Sequence, residues 1–390
     1  MQTLTMDQER VVGVDPARLA RVADLIDRDI EAGRCDGVSL SVRQSGRTVL
    51  EEHRGFADRA SGRELADDQV FATMSSGKQF FNTVFLSFVE RGLVDLVAPV
   101  AEVLPQFGIR GKESITPFHL LTHTGGVQSL FPPLPPEELI KNAAVADHCC
   151  RQRPESRPGE RITYSLISAH AVMAEMLLEV DGRRRSLTTL LDEELFAPLG
   201  MSDTTLGSRP ELLERMATVV PRFEEPGFFW AEEIQGVAEM IAAPGLEMPA
   251  AAYLTTTADF ARFAEMLARG GELDGFRLLS PAMLEWATRN HTGELPNGLF
   301  DYTIDSRHWP IFPGSIGVGF FVRGDAPTHG PLPLLASPRT FGGWGAGSTC
   351  FWIDPTRDLS FTLLTSGLMA DDRHVERTRR LGDAVLAALT

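Results

Sequence analysis

The spacing of apolar residues predicts strands at both ends of the 390-residue chain and helices between them. Runs of β-branched and aromatic residues predict strands over 37–44, 48–56, 316–323, 348–353 and 359–366. Apolar residues at helical spacing predict helices over 16–32, 76–92, 257–269 and 372–389. The Ser45-Gly46 pair between the first two strands predicts a hairpin turn.

The middle of the chain, residues 95–249, has mostly helical patterning that is interrupted by Pro and Gly. Helix candidates there are 117–124, 166–180, 186–197 and 210–217. The long irregular stretch 126–162 contains a proline-rich run, and loops of that length are uncommon unless they are functional, so we expect a wall or lid over a site. Strands at the ends and helices in the middle favour an α/β domain built from 1–94 and 250–390, with 95–249 inserted as a mostly helical domain.

The net charge of the chain argues against two classes of binding partner. The chain has 37 Lys+Arg against 53 Asp+Glu, a net charge of −16. Proteins that bind nucleic acid or anionic membranes need net positive surfaces, so we expect neither partner. No stretch approaches 18 uninterrupted apolar residues, and the N-terminus lacks a cationic start followed by an apolar core. We therefore expect no membrane span, no signal peptide and a cytoplasmic location.

The cysteines and glycines show no pattern that is typical of a metal, disulfide or nucleotide site. Cys35, Cys149, Cys150 and Cys350 are too few and too unevenly spaced for a disulfide framework or a zinc site, so we expect reduced and mostly buried thiols. The sequence has no glycine-rich phosphate loop and no convincing dinucleotide fingerprint. We therefore expect a protein that needs no metal and no cofactor.

The first candidate for chemistry is a Ser-x-x-Lys pattern at the predicted start of the helix over 76–92. Ser75 and Lys78 are three residues apart, which places them on one helical face with the amine in reach of the hydroxyl. Serine is a poor nucleophile without an adjacent base, and a helix N-terminus offers N–H groups to a developing oxyanion. Only three of the 37 basic residues are lysine, and arginine cannot deprotonate. Taken alone, the pattern fits a surface Ser and Lys equally well.

Four further segments change that balance. With the Ser-x-x-Lys segment they form an ordered series at 70–80, 92–107, 115–126, 158–172 and 341–355. The series resembles the serine β-lactamase and penicillin-binding-protein superfamily, and within it the β-lactamase-like esterases (family VIII carboxylesterases) and related acyltransferases. The resemblance covers most of the chain. It implies an α+β fold (an α/β sandwich) in which both chain ends form an antiparallel sheet flanked by helices, with the helical domain inserted.

The resemblance also implies roles for individual residues. Ser75 would attack a carbonyl and become acylated, while Lys78, its pKa lowered by burial and positive surroundings, would accept or relay a proton. Tyr164 would complete the base as a partly ionised phenol held by the Lys78 charge. The backbone N–H groups of Ser75 and Ala346 would form the oxyanion hole, although a second alignment moves the latter donor to Gly347.

Two positions depart from the family pattern. The second motif is Tyr164-Ser165-Leu166 where lactamases carry Tyr-x-Asn, and Gly343 or Trp344 stands where the third motif begins with Lys or His. An apolar Leu and an uncharged Gly or Trp cannot replace the amide and the cation that help to bind a β-lactam. We therefore assign Leu166, Trp344 and Gly345 to substrate binding and expect a neutral or hydrophobic acyl group.

The leading hypothesis is a serine hydrolase that forms an acyl-enzyme on Ser75 and cleaves small-molecule carboxylic esters or acyl thioesters. If a bound alcohol or amine replaces water, the same site is an acyltransferase. A further alternative is an amidase, D-amino peptidase or β-lactamase on the same fold, against which the missing cation counts. The last is a catalytically silent binding module, against which the joint presence of Ser75, Lys78 and Tyr164 counts.

Other residues carry weaker signals. His119 and His123 stand four apart, but no Glu follows the first His as a zinc-protease helix requires, so we interpret them as helix-end hydrogen bonders. Several aromatic residues either line an acyl pocket or belong to the core, namely Phe228, Phe229, Trp230, Trp309 and Phe312.

Overall fold

The computed structural model describes residues 13–224 and 229–390, which fold around a seven-stranded sheet. The strands are β1 (Gly37–Gln44), β2 (Arg47–Asp58), β3 (Arg63–Glu64), β4 (Val70–Ala72), β5 (Thr205–Leu206), β6 (Tyr253–Thr256), β7 (Glu272–Leu273), β8 (Phe276–Arg277), β9 (Phe321–Val322), β10 (Phe341–Gly345), β11 (Thr349–Asp354) and β12 (Leu359–Ser366). The large sheet has the order β3-β2-β1-β12-β11-β10-β9, and all its neighbouring strands are antiparallel. A small sheet has the order β4-β6-β5, and β7 pairs with β8.

The remaining regular structure is mostly α-helical. They are α1 (Pro16–Glu31), α2 (Lys78–Glu90), α3 (Pro117–Leu121), α4 (Pro136–Leu139), α5 (Asn142–Arg151), α6 (Ser168–Val180), α7 (Leu187–Leu191), α8 (Ala197–Leu199), α9 (Pro210–Glu214), α10 (Ala231–Ile241), α11 (Thr257–Ala268), α12 (Pro281–Ala287), α13 (Asp301–Arg307) and α14 (Asp371–Ala388). Within the described ranges, no helix combines the length and the apolar character that crossing a bilayer requires.

Helices cover both faces of the large sheet. Consecutive residues of a strand point to opposite faces. In β11, Phe351 packs against Phe260 and Phe263 of α11, with ring centroids 5.0 and 5.8 Å apart, whereas Trp352 lies against Gly382 of α14. Helix α1 packs along α14. The sheet is therefore buried between two helical layers.

The architecture confirms the α+β fold predicted from the sequence. Strands β1–β3 come from the first part of the chain and β9–β12 from the last, and the two parts meet where β1 pairs with β12. Both of these central strands have the predicted bounds, because their apolar runs are buried on both sides. The domain boundaries at 94/95 and 249/250 stay a prediction.

The middle of the chain differs from its predicted pattern. The stretch 126–162 is not irregular throughout, because it contains α4 and α5, and α10 was not predicted at all. In α5 a short apolar face that includes Cys149 and Cys150 packs on α6, so tertiary contact stabilises a helix with a weak sequence signal. All four cysteines are free and buried, as predicted. The predicted strand over 316–323 shrinks to β9, because Gly319 has φ +85° and turns the chain.

Candidate active site

Ser75 lies on a strained turn between β4 and α2. The preceding residue, Met74, has φ +50°, a left-handed conformation that residues with a side chain rarely adopt. Such strain persists only where the surroundings hold it. Here the Thr73 N–H donates to the Tyr253 carbonyl at 3.0 Å, and a Cβ at Gly77 would approach Tyr253 to 2.3 Å, so only glycine fits at that position. The turn leaves Ser75 half-buried at the start of the helix.

The Lys78 amine makes three contacts. Its Nζ lies 3.1 Å from Ser75 Oγ and donates to the carbonyls of Leu166 and Ala250, both at 2.9 Å. A neutral amine has two N–H donors and one lone pair, so the two carbonyls match its donors and the Ser75 hydroxyl faces its lone pair. The geometry therefore suits an amine that accepts the Ser75 proton.

Electrostatics favour the same protonation state. Burial lowers the pKa of Lys78 from its ordinary value of 10.5 to about 7, because the charged form loses its hydration. The side chain is only 2% exposed, and none of the ion pairs among the described residues involves it. A substantial fraction of the amine is therefore neutral at physiological pH.

Tyr164 is held in place by His123. The Thr163 N–H donates to the His123 carbonyl at 2.7 Å, the Ser165 N–H donates to its Nδ1 at 3.3 Å, and the two rings pack with centroids 4.3 Å apart. Burial, and next the charge of Lys78, lower the pKa of His123 to about 3, so its ring stays neutral. His123 follows the end of α3 and makes hydrogen bonds there, as expected from the sequence, and through them it positions Tyr164.

The protonation of Tyr164 differs from the expectation. Burial raises the pKa of Tyr164, the nearby Asp371 charge adds to the increase, and a hydrogen bond with Ser75 opposes it. Lys78 Nζ lies 5.1 Å from the centre of the ring. The phenol therefore keeps its proton at neutral pH, and the prediction of a partly ionised phenol is wrong. The physical reason is that the buried site removes the water that would stabilise a phenolate.

The β10–β11 hairpin brings the third motif to the serine. The Thr349 hydroxyl donates to the Thr73 carbonyl, and the Ser76 hydroxyl donates to the same carbonyl at 2.8 Å. The Thr349 hydroxyl also lies 2.9 Å from the Ser76 hydroxyl, and its contacts fix the hairpin to the turn that carries Ser75. Ala346 follows β10 directly, and both it and Ser75 line the cleft described next.

Two cavities meet at Ser75. The larger is lined almost entirely by apolar side chains, including Leu166, Phe131 and Met240. The smaller has a more polar lining that includes Tyr164 and Asp371. Both cavities share Ser75, Leu166, Phe229 and Ala346. A substrate carbonyl at Ser75 would therefore have an apolar space on one side and a more polar one on the other.

The structure brings most of the predicted site residues together. Ser75, Leu166 and Ala346 line both cavities, and Tyr164 and Trp344 line the smaller one. Lys78 joins this group through its contacts with the Ser75 hydroxyl and the Leu166 carbonyl. Gly345 lies instead against the turn that carries Ser75, where a Cβ would approach Thr349 Oγ1 to 2.2 Å. Gly347 packs against Met369, whose N–H donates to the Gly347 carbonyl. Neither glycine is among the residues that line the two cavities.

Of the aromatic residues that the sequence offered for an acyl pocket, only some line the cavities. Phe229 lines both cavities and Trp230 is 60% exposed. Trp309 and Phe312 pack around His329 and line neither cavity. Phe228 lies outside the described residues.

Sequence reasoning missed three contributors. Asp371 and Phe300 line the smaller cavity, and α10 lines the larger one with Ile234, Val237 and Met240. Asp371 lies near the other end of the chain from Ser75 and stands in no motif, so only folding brings the two residues to the same cavity. The apolar spacing in α10 was the one signal that could have been found.

Metal binding has no support in the described part of the chain, which holds no group of three His, Cys, Asp or Glu side chains arranged for an ion. His119 instead accepts the Thr116 N–H at 3.2 Å through Nδ1 at the start of α3.

Comparison with known proteins identifies the family of this chain. A family model described as Beta-lactamase matches residues 22–386. The esterase/β-lactamase LipL of Mycobacterium tuberculosis (strain ATCC 25618 / H37Rv) is 27% identical over 388 residues, which cover 93% of this chain and 84% of LipL.

Solved structures extend the likeness to three dimensions. A penicillin-binding-protein homologue from Caulobacter crescentus has a TM-score of 0.74 at 26% identity, and a family VIII carboxylesterase has the same fold with a TM-score of 0.76 at 22% identity. Each alignment covers 97% of this chain and 99% of the other. These matches confirm the resemblance found in the motifs, and because the family model spans nearly the whole sequence, this chain belongs to the Beta-lactamase family of hydrolases.

Proposed function

We propose that this protein is a serine esterase that hydrolyses carboxylic esters or thioesters through an acyl-enzyme on Ser75. The observation that carries the proposal is the Lys78 amine, whose two N–H groups are taken by carbonyls while its third contact is the Ser75 hydroxyl. A pKa of about 7 gives that amine a neutral form at physiological pH. An activated serine beside a tuned base is what covalent acyl transfer requires.

In acylation, Ser75 Oγ bonds to the substrate carbonyl carbon as its proton moves to Lys78 Nζ. The carbonyl oxygen gains the electron pair, and the N–H groups of Ser75 and Ala346 stabilise it. Cavity lining by Ala346, and not by Gly347, supports this choice of donor.

When the tetrahedral intermediate collapses, the bond to the leaving oxygen breaks and Tyr164 protonates that oxygen. A Lys78 ammonium proton then replaces the one that the phenol gave. In deacylation, water attacks the acyl carbon, its proton passes to Lys78, and Ser75 regains a proton as the acid leaves. A neutral, protonated Tyr164 suits the acid role better than the base role predicted from the sequence.

Charge in the smaller cavity favours esters over β-lactams. A penicillin or cephalosporin carries a carboxylate next to the amide that is cleaved. The smaller cavity presents the Asp371 side chain, which is 5% exposed, and no Lys or Arg is among its lining residues. A second carboxylate there would meet a like charge in a poorly hydrated space. The β-lactamase alternative is therefore disfavoured.

Two alternatives use the same residues. An acyltransferase shares the first half-reaction, and rates that rise with an added alcohol, with ester formed in place of acid, would identify it. A catalytically silent binding module would leave the Lys78 contact unused.

Labelling of the serine tests the proposal directly. We expect a fluorophosphonate probe to modify Ser75, because phosphonylation needs the same activated hydroxyl. Peptide mass spectrometry should place the adduct on Ser75 and not on the adjacent Ser76, whose hydroxyl is fully buried and bonded to the Thr73 carbonyl. Folded protein that takes up no probe, and turns over no p-nitrophenyl ester, would support the binding module instead.

The pH profile tests the state of the base. Activity needs neutral Lys78, so kcat/KM should rise with pH through a midpoint of about 7 and fall about tenfold per pH unit below it. A steady-state profile with a neutral ester between pH 5 and 9 measures this. A midpoint near 10, the range of an ordinary lysine, would contradict the assignment.

A further inference from the structure

An open groove lies beside the larger cavity. It has a volume of about 500 Å³ and is formed by the chain around α4 on one side and by α10 on the other. Its apolar lining comes from Phe131, Pro136, Leu139, Ile140, Val237, Met240 and Ala243. The catalytic mechanism described above uses none of the residues that belong to the groove alone.

The groove is continuous with the active site. Phe131, Val237 and Met240 line both the groove and the cavity that contains Ser75. The two spaces therefore meet across these three apolar side chains. Helix α10 is held in place by Ile234 and Ile241, which are buried in a small core cluster and also line the inner cavity. Val237 and Met240, which separate the groove from the cavity, therefore lie on a helix with a fixed position.

The chemistry of the groove excludes some ligands. Among the described residues, the charged ones in its lining are Glu137, Glu233 and Glu239, with no Lys or Arg. Anionic groups such as the phosphates of an acyl carrier would meet like charge there. A neutral hydrocarbon chain gains free energy for each methylene that it moves from water into such a space. The lining therefore selects a neutral, apolar and extended group.

We propose that the groove binds the distal part of the acyl chain, so that the substrates are neutral esters of medium- and long-chain fatty acids. The acyl carbonyl lies at Ser75, the first methylenes fill the larger cavity, and the chain passes Phe131, Val237 and Met240 into the groove. This proposal rests on the proposed esterase function and names its acyl group. Short-chain esters reach only the inner cavity.

Gly236 offers a direct test. It lines the groove and not the inner cavity, and a Cβ at this position has no atom within 4 Å, so Gly236→Trp fills the groove without disturbing the helix. We expect kcat/KM for p-nitrophenyl laurate to fall about tenfold or more, since each methylene that loses its contact is worth about a fourfold effect. The value for p-nitrophenyl butyrate should stay within about twofold of the wild type.

Two variants control for the substitution itself. Gln235→Trp adds the same side chain to the adjacent, exposed position, which lines neither space, and it should leave both esters unaffected. Gly236→Ala should likewise preserve laurate turnover, because a methyl group leaves most of the groove open.

The outcomes separate this proposal from the esterase assignment. Laurate turnover that is unchanged in Gly236→Trp, or equal losses for laurate and butyrate, would overturn the acyl-chain groove. So would a wild-type protein that hydrolyses butyrate but gains nothing from a longer chain. Failure of the wild type to hydrolyse any ester, together with an unlabelled Ser75, would instead remove the esterase function itself.

Discussion

Replacing Lys78 with methionine should lower kcat/KM for a short ester by about 10³-fold, within the range that a positioned general base contributes. Methionine has a similar length and suits the buried position, but it has no lone pair that can take the Ser75 proton. The carbonyls of Leu166 and Ala250 lose their donor, which costs about 1–3 kcal/mol of stability each at most. Steady-state kinetics on protein with a wild-type circular dichroism spectrum measures the effect.

Lys112 provides the matched control. It is also fully buried, and its Nζ donates to three backbone carbonyls, those of Ile109, Cys150 and Gln152, with no hydroxyl among these contacts. Lys112→Met removes a comparable buried amine but lies outside both cavities, so it should reduce stability and leave kcat/KM within about twofold. Equal losses in the two variants would show that buried lysines act through stability alone, and the role of Lys78 as base would fail.

Tyr164→Phe should lower kcat by about 10²-fold or more while the fold persists. The ring that packs on His123 remains, so the loss is confined to the hydroxyl that bonds with Ser75 and protonates the leaving oxygen. Because the acid matters most for poor leaving groups, the loss should be larger for an alkyl ester than for a p-nitrophenyl ester. Comparing the two substrates measures this difference.

Tyr253→Phe is the control for that variant. Tyr253 is equally buried, and its hydroxyl donates to the Pro249 carbonyl at 3.1 Å, but it lines neither cavity. Its loss should lower the melting temperature more than the activity. Near-wild-type turnover in Tyr164→Phe would rule out the acid role of Tyr164.

The local sequence predicts the contact between Ser75 and Lys78 but not the protonation state of Tyr164. The Ser-x-x-Lys spacing predicts contact between Ser75 and Lys78, because three residues make one helical turn. It carries no information on whether the Tyr164 phenol is ionised. That depends on how much water the folded chain excludes, and burial by residues from distant segments raises the pKa of Tyr164.

The cavities show the same division. The motif sequence predicted Leu166 and Trp344 in the site, since each stands in a motif. Asp371 begins α14, and Phe131 belongs to the segment expected to form a wall or lid, which does line the larger cavity. The third motif predicted that Gly345 binds substrate, whereas in the structure it packs against Thr349 and the turn that carries Ser75.

The sheet built from both chain ends, the family, and the serine and lysine of one turn could all be predicted from local sequence, because apolar periodicity and short motifs act over a few residues. The proton on Tyr164, the carboxylate of Asp371 in the smaller cavity, and the groove between α4 and α10 arise only when the chain folds. Each of these depends on desolvation or contact between segments that are far apart in the chain, and no local pattern encodes that distance.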